Sequence, residues 1–204
     1  MLPATFCCLA GTPVITRISP LGIVPGKTTE IILEGDNLEG ATNLWTSFPS
    51  TLEPTSGNGT NRNTSERAIF RLAIPPGTSL GVGALRLATT NGISDLRLCF
   101  LDDLASVPDA VTNKTPATAQ ETTLPAAIDG FCEEMSFHYY KLHARKGEQI
   151  SIEVVAQRIG SRLDPLLRLL DSRRRELAYC DDDPGSGNDS RIQHRFAAEP
   201  KAVG

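Results

Sequence analysis

Long hydrophobic runs and an excess of charge of either sign are both missing from this chain of 204 residues. No apolar stretch approaches the ~20 residues that a membrane-spanning helix requires, so the sequence predicts no transmembrane segment. Lys and Arg number 20 against 24 Asp and Glu, which gives a formal net charge of −4. Because the chain lacks the basic footprint of a nucleic-acid-binding protein, we expect no nucleic-acid partner.

Cysteine is also scarce. The 5 cysteines contain no Cys-x-x-Cys pair, and an odd number cannot all pair within one chain. We therefore interpret them as free, mostly buried thiols: Cys7, Cys8, Cys99, Cys132 and Cys180. Residues 1–12 are apolar but have no basic segment ahead of them, so they are at most the remnant of a leader peptide.

Strand patterns dominate the first half. Residues 28–34 are rich in β-branched side chains and are flanked by turn-forming glycines. Residues 68–74 and 84–90 alternate apolar and polar side chains. Asn91-Gly92 favours a hairpin to a return strand, whose core-facing residues we predict to be Leu96, Leu98 and Phe100. Short strands separated by turns are typical of a β-sandwich.

The second half repeats the strand pattern at residues 135–142, 149–154, 166–170 and 191–196, and residues 171–175 form a polar hairpin loop. Residues 104–121 have few large apolar side chains and are predicted to be an interdomain linker. The fold class that follows is all-β, with two β-sandwich domains in tandem over residues 13–103 and 122–204.

A characteristic series of segments lies in the second half: LPAAIDG at 124–130, YYKL at 139–142, ARKGEQ at 144–149, GSRLDPLL at 160–167 and DDD at 181–183. In this order, residues 124–196 resemble the bacterial pre-peptidase C-terminal domain, a small β-sandwich appended to secreted peptidases and other exported proteins. The family usually carries aspartates where this chain has Ser136 and His138. Its final Gly-x-Tyr-type strand is also missing here, which implies an incomplete domain in a fragment of a larger multidomain chain.

The first half is similar to a second family. ITRISP at 15–20 followed by GKTTEIILEGDNL at 26–38 resembles the opening of IPT/TIG immunoglobulin-like domains. The two resemblances together imply an immunoglobulin-like domain followed by a jelly-roll-like one. They also imply a secreted or cell-surface protein.

The acidic, glycine-rich loop at residues 181–189 is the sharpest candidate for chemistry. Calcium takes 6–8 oxygen ligands, and clustered carboxylates on such a loop supply them. We predict a Ca²⁺ site formed by the following carboxylates: Asp164, Asp181, Asp183 and Asp189. A solvated turn between two strands is the alternative, since the spacing does not fit an EF-hand loop.

Nothing in the sequence predicts catalysis. The positions of His138 and His143 differ by an odd number, so regular alternation along the aromatic strand places them on opposite faces. His194 shares its inward register with Ile192 and Phe196. The chain has no Gly-x-Ser-x-Gly, His-Glu-x-x-His or phosphate-binding glycine motif. We expect it not to be an enzyme.

Two surface features have two interpretations each. Residues 173–175 are three arginines that either contact an anionic polymer or form a solvated hairpin loop, which we favour because the attraction is weak and salt-sensitive. Trp45 either packs in the core, which its place beside Leu44 favours, or forms an aromatic platform for a sugar or peptide. The other members of that platform are Tyr139, Tyr140 and Tyr179.

These inferences predict a non-catalytic exported or cell-surface module for binding or adhesion, which holds a protein or polysaccharide partner. The alternative is a calcium-stabilised accessory domain pair of a larger secreted peptidase or hydrolase.

Overall fold

The computed structural model describes residues 11–53 and 63–197 and is all-β, as the sequence predicts. The chain divides into two compact units, with the boundary between Val107 and Pro108. Within the described residues no helix has the length and apolar character needed to cross a membrane. Cys7, Cys8 and all of the predicted leader remnant except Gly11 and Thr12 lie outside the described residues.

The first unit consists of two sheets. Its strands are β1 (Val14–Ser19), β2 (Gly22–Ile23), β3 (Thr28–Asp36), β4 (Ala41–Thr46), β5 (Thr51–Glu53), β6 (Arg67–Ala73), β7 (Gly81–Thr89), β8 (Gly92–Ile93) and β9 (Arg97–Leu101). One sheet has the order β1-β3-β6-β5, and the other has the order β2-β9-β7-β4 with β8 paired to β7. All pairs are antiparallel except β2 with β9. Strand β10 (Ser106–Pro108) crosses the boundary between the units.

Both sheets contribute to one apolar core. Ile31 and Leu33 of β3, with Leu72 of β6, are buried from one side, and Leu85 and Leu87 of β7 are buried from the other. On β7 the exposed Arg86 separates Leu85 from Leu87, which is the alternation of a half-buried strand, whereas on β3 the half-buried Ile32 separates Ile31 from Leu33. Two sheets that share a core in this way form a β-sandwich.

The predicted register of β9 is wrong by one residue. Cys99 and Leu101 face the core, whereas Leu96 is exposed and Leu98 and Phe100 are only half-buried. Gly83 lies opposite Cys99 on β7, and a Cβ at Gly83 would lie 2.6 Å from Leu101 Cδ1. The missing side chain of Gly83 therefore makes room for Leu101 in the core. A shift of one residue exchanges the two faces of a strand, and both faces of β9 are apolar.

The second unit has shorter strands. They are β11 (Gln120–Glu121), β12 (Ala127–Asp129), β13 (Tyr140–Lys141), β14 (Gln149–Glu153), β15 (Leu167–Leu170), β16 (Glu176–Cys180) and β17 (Arg191–Arg195). Strand β14 pairs with β17 and β15 pairs with β16, both antiparallel, and β11 pairs with β13 in parallel. Ile150, Leu169 and Ile192 form its buried apolar cluster, against which Phe196 packs.

Two segments of this unit differ from their sequence expectations. Of the strand predicted at 135–142 only Tyr140–Lys141 is extended and paired, and Met135 is 95% exposed with a left-handed φ of 57°. Residues 108–121, which fall in the predicted linker, belong to the second unit and contain a 3-10 turn at Pro116–Thr118 that is capped by Thr115. Polar contacts rather than apolar burial hold this segment in place.

Candidate functional site

The four aspartates of the predicted calcium site have different surroundings. Asp189 is completely buried, Asp183 is half-buried, and Asp164 and Asp181 are exposed. Asp164 accepts a hydrogen bond from Gln157 Nε2 at 3.3 Å. Throughout residues 11–53 and 63–197, no group of three or more His, Cys, Asp or Glu side chains is arranged to hold a metal ion.

Asp189 instead binds a turn of the backbone. Its carboxylate accepts the N–H of Ala156 at 3.1 Å to each oxygen, and the N–H groups of Gln157 and Arg158 at 2.7 and 3.3 Å. These N–H groups lie at the start of the 3-10 turn Gln157–Ile159, which has no other side-chain cap. Asp189 therefore ties the acidic loop to a segment more than thirty residues earlier in the chain.

An arginine completes the neutralisation of this buried charge. Arg158 Nε donates to Asp189 Oδ2 at 2.8 Å, while Arg158 Nη2 donates to Val154 O at 2.8 Å and lies 2.6 Å from Glu153 Oε1. Burial by itself raises the pKa of Asp189, but the Arg158 guanidinium and the backbone N–H donors outweigh it and hold the pKa below its ordinary value. The carboxylate is therefore ionised at neutral pH.

This donor set does not fit a calcium ion at Asp189. Both oxygens already accept hydrogen bonds from N–H groups, and a guanidinium occupies the place that a cation would take. A calcium ion held by Asp164, Asp181 and Asp183 alone stays a prediction.

Ser190 adds a second tie between the acidic loop and the Asp164-Pro165 segment. Its hydroxyl contacts Pro165 O and lies 2.5 Å from Asp181 O, and the residue is fully buried. The loop from Asp181 to Ser190 is thus fixed at its end by two buried polar side chains. Its order in the structure is explained by these contacts.

A second buried polar cluster lies near the beginning of this unit. His138 Nδ1 is 2.7 Å from Asp109 Oδ2, and both side chains are less than a tenth exposed. Asp109 Oδ1 accepts hydrogen bonds from Tyr140 Oη and Asn113 Nδ2, each at 2.7 Å. Gly130 packs so closely that a Cβ there would lie 2.5 Å from Asp109 Cβ.

The protonation of this cluster follows from its donors. Lys114 Nζ lies 2.5 Å from His138 Nε2, and an ammonium can only donate. Nε2 is therefore the unprotonated nitrogen, and Nδ1 donates its proton to Asp109. Burial, followed by the hydrogen bond to Asp109, raises the pKa of the Tyr140 phenol well above its ordinary value.

The Asp109–His138 pair is not part of a serine-protease triad. In a triad the second imidazole nitrogen faces a serine hydroxyl, whereas here it faces Lys114. His143 binds Glu121 at 2.8 Å in an exposed position, and His194 stacks edge-on against Phe196 with ring centroids 5.0 Å apart. Within the described part of the chain, no histidine is hydrogen-bonded to a serine.

The arginine loop is held by one aspartate. Asp171 accepts the N–H groups of Arg173 and Arg175 at 2.8 and 2.9 Å, and Arg175 Nε at 2.8 Å. The backbone hydrogen bond from Arg175 is the main cause of the lowered pKa of Asp171. Arg174 takes the left-handed conformation with a φ of 62°. The three side chains are exposed, as expected of a solvated turn.

The core position predicted for Trp45 is wrong, because Trp45 is 53% exposed while Leu44 beside it is buried. Successive side chains of a strand point to opposite faces, and Leu44 takes the inward one. Trp45 lies in the first unit, whereas Tyr139, Tyr140 and Tyr179 lie in the second. Tyr139 packs near Phe137, with ring centroids 6.4 Å apart.

The sequence pattern identified Asp189 as a functional candidate but did not reveal its structural partners. It also missed Asp109 and Asn113 altogether. The partner of Asp109, His138, lies 29 positions later, so no local spacing connects them. Their residue types gave no signal either, because Asp and Asn are mostly exposed in proteins.

Comparison with known proteins gives one sequence relative. No family model matches the chain. A probable subtilase-type serine protease of Deinococcus radiodurans is 28% identical over 212 residues, which cover 93% of this chain and 28% of that protein. The chain therefore spans less than a third of the length of this curated relative.

Among solved structures, the chain can be superposed on a Bacteroides ovatus protein, SGBP-B of a mixed-linkage glucan utilization locus, solved in complex with a mixed-linkage heptasaccharide. The match has a TM-score of 0.31 and 13% identity, and covers 92% of this chain and 36% of that one. A TM-score of this size does not establish a common fold.

Proposed function

We propose that this chain is a non-catalytic pair of β-domains that forms an accessory, partner-holding part of a larger secreted protein of the subtilase type. Its role would be to hold a protein or polysaccharide partner near a catalytic domain that lies elsewhere. This function combines the binding role and the accessory role that the sequence suggests.

The observation that carries the proposal is the extent of the alignment. It covers 93% of this chain, and so reaches into both units, but only 28% of the serine protease that it matches. Most of that protein, with ample length for a catalytic domain, lies outside the match. The resemblance of residues 124–196 to a domain appended to exported peptidases agrees with this placement and stays a prediction.

The contacts of the three histidines support a non-catalytic role. Nucleophilic catalysis needs a nucleophile within hydrogen-bond reach of a base. A histidine would be the base here. His138 contacts Lys114, His143 contacts Glu121, and His194 contacts the ring of Phe196. None of these arrangements activates a serine.

The test is to treat the purified chain with a serine-directed fluorophosphonate probe and with fluorescently labelled casein. We expect no covalent labelling and no casein hydrolysis. An active subtilase assayed in parallel is the positive control. Stoichiometric labelling of one serine, with casein hydrolysis that the same probe inhibits, would refute the non-catalytic assignment.

A further inference from the structure

The two sheets of the first unit carry different charges. In the sheet β1-β3-β6-β5, acidic and basic side chains are interspersed, and ion pairs join Arg17 to Glu34 at 3.9 Å and Arg71 to Glu53 at 3.3 Å. The strands of the other sheet contain no acidic residue, and their only charged residues are Arg86 and Arg97. Only the sheet β1-β3-β6-β5 therefore carries the mixed charges that are usual on the solvent-facing side of a sheet.

The outer face of the second sheet is apolar. Leu85 and Leu87 of β7 face the core, so Val82 and Arg86 face outward, and the strand register places Trp45 beside Arg86 and Phe100 beside Val82. The large apolar side chains exposed on or next to these strands include Trp45, Val82, Ile93 and Leu96. We call this surface the β4–β9 face.

Such a face is unusual for an antiparallel sheet. When one face of an antiparallel sheet packs on the core, the other normally carries polar side chains. A contiguous exposed apolar patch marks an interaction site more often than chance exposure does. Trp and Arg, which are cross-strand neighbours here at Trp45 and Arg86, are enriched among the residues that contribute most to binding energy at protein interfaces.

Arg86 gives the β4–β9 face its charge preference. Its Nε donates to Ser94 O at 3.0 Å, which anchors the side chain. Within residues 11–53 and 63–197, its terminal nitrogens have no ion-pair partner. A guanidinium presents a planar fork of donors that matches a carboxylate. A partner that brings a carboxylate to Arg86 would therefore complement the face.

We propose that the β4–β9 face binds an extended polypeptide segment that has apolar side chains and a carboxylate opposite Arg86. A polypeptide fits better than a polysaccharide, because sugar hydroxyls need several polar partners and the face offers few. Asn43, the nearest amide on β4, already uses its Oδ1 to accept the N–H of Leu44 at 2.8 Å. A second copy docked through the same face would bring another arginine rather than a carboxylate. This inference rests on the proposed partner-holding role.

The single tryptophan of the chain makes the face directly observable. The test is to titrate the whole chain with a short tryptophan-free peptide that alternates Val and Phe with Glu. Burial of Trp45 would shift its emission to shorter wavelength in a saturable manner. A matched peptide with Lys in place of each Glu should bind roughly tenfold more weakly or not at all.

Two variants locate the binding surface. Arg86→Gln should weaken binding of the Glu peptide roughly tenfold, because it removes a charged hydrogen-bond donor. Arg17→Gln on the opposite sheet is the matched control and should leave binding unchanged. Val82→Asn keeps both Trp45 and Arg86 and should also weaken binding, and circular dichroism verifies that each variant is folded.

Three kinds of outcome would overturn the inference. The first is the absence of a saturable shift with the Glu peptide, or equal binding of the Lys peptide. The second is a shift only with a soluble neutral β-glucan, which would leave the partner-holding role intact but assign a different partner. The third is a concentration-dependent shift without any peptide, removed by Val82→Asn, which would show that a second copy covers the face. Labelling by the serine-directed probe tests the non-catalytic assignment separately, so failure of the proposed function can be told apart from failure of this inference.

Discussion

A buried carboxylate is costly unless charge-assisted hydrogen bonds replace its water. Asp189 meets this condition with three backbone N–H donors and the Arg158 guanidinium. The acidity of the loop suggested a metal ligand, but at this residue it supplies a clamp for the backbone. Asp109 in the other polar cluster instead joins three side chains, because it accepts from Asn113, His138 and Tyr140. At the scale of single residues, the buried acids of this chain are structural.

Replacing Asp189 tests that role. Asp189→Ala leaves the Arg158 charge and three N–H groups without their partner, and we expect a loss of about 3 kcal/mol or more in the unfolding free energy of the second unit. Hydrogen exchange of the Gln157 amide measures the loss of stability at the turn that Asp189 binds. Asp182→Ala, in the same loop but exposed, is the control and should change stability by less than about 0.5 kcal/mol. Equal effects of the two substitutions would contradict the clamp.

The pH dependence follows from the lowered pKa of Asp189. Its folded pKa lies below the unfolded value of about 3.9, so its contribution is fully present above that value and is lost as the pH falls through the folded pKa. The unfolding free energy of the wild type should decrease below about pH 4. In Asp189→Asn this decrease should be smaller, as urea titrations at several pH values would measure. If the unfolding free energies of the wild type and Asp189→Asn decreased equally at low pH, the lowered pKa of Asp189 would not be the cause.

At the scale of elements, alternation predicted the strands whose two faces differ. It located β3, β6 and β14 within one or two residues of their observed bounds, and it found β7 but began it three residues too late. It failed on β9, because both faces of that strand are apolar and the contact of Gly83 with Leu101 decides between them. Trp45 was misplaced because its position next to Leu44 was taken to favour the core, whereas alternation along β4 places neighbouring side chains on opposite faces.

Gly35 shows how an element depends on one missing side chain. It pairs with Ile15 at the bulge between β1 and β3, where a Cβ would lie 1.9 Å from Val14 O. Gly35→Ala must therefore displace β1, and we expect a cost of about 1–3 kcal/mol. Hydrogen exchange of the β1 amides is the measurement.

The matched substitution is Gly185→Ala, whose Cβ would meet nothing closer than Asp183 Oδ2 at 3.4 Å. It should leave the exchange of the β1 amides unchanged. Undisturbed β1 amides in Gly35→Ala would show that the backbone there accommodates a side chain.

At the scale of the whole molecule, the chain consists of two units with separate cores. The segment 108–121 looked like a linker because it has few large apolar residues. Its order comes from Asp109, whose partners His138 and Tyr140 lie far along the chain. Asn113 adds to it, because its carbonyl accepts the N–H of Tyr139 at 2.8 Å. Hydrophobic pattern does not detect such polar anchoring.

The first unit should fold by itself, and Cys99 offers the measurement. It is the only cysteine in residues 11–107, and burial raises its pKa to about 12. Because the thiolate is the reactive species, Cys99 should resist iodoacetamide at pH 8 in a fragment of residues 11–107 and react at once in urea. Alkylation at the same rate with and without urea would show that the fragment does not form this core.

The sequence by itself determined the all-β class, the positions of most strands and the absence of a catalytic motif, because these depend on residue types and their local periodicity. The tertiary structure decided the partners of Asp189 and Asp109, the face on which Cys99 and Trp45 lie, and the apolar β4–β9 face. These features depend on which distant residues meet, and the pairing of strands and the long-range polar contacts that create those meetings leave no periodic trace in the chain.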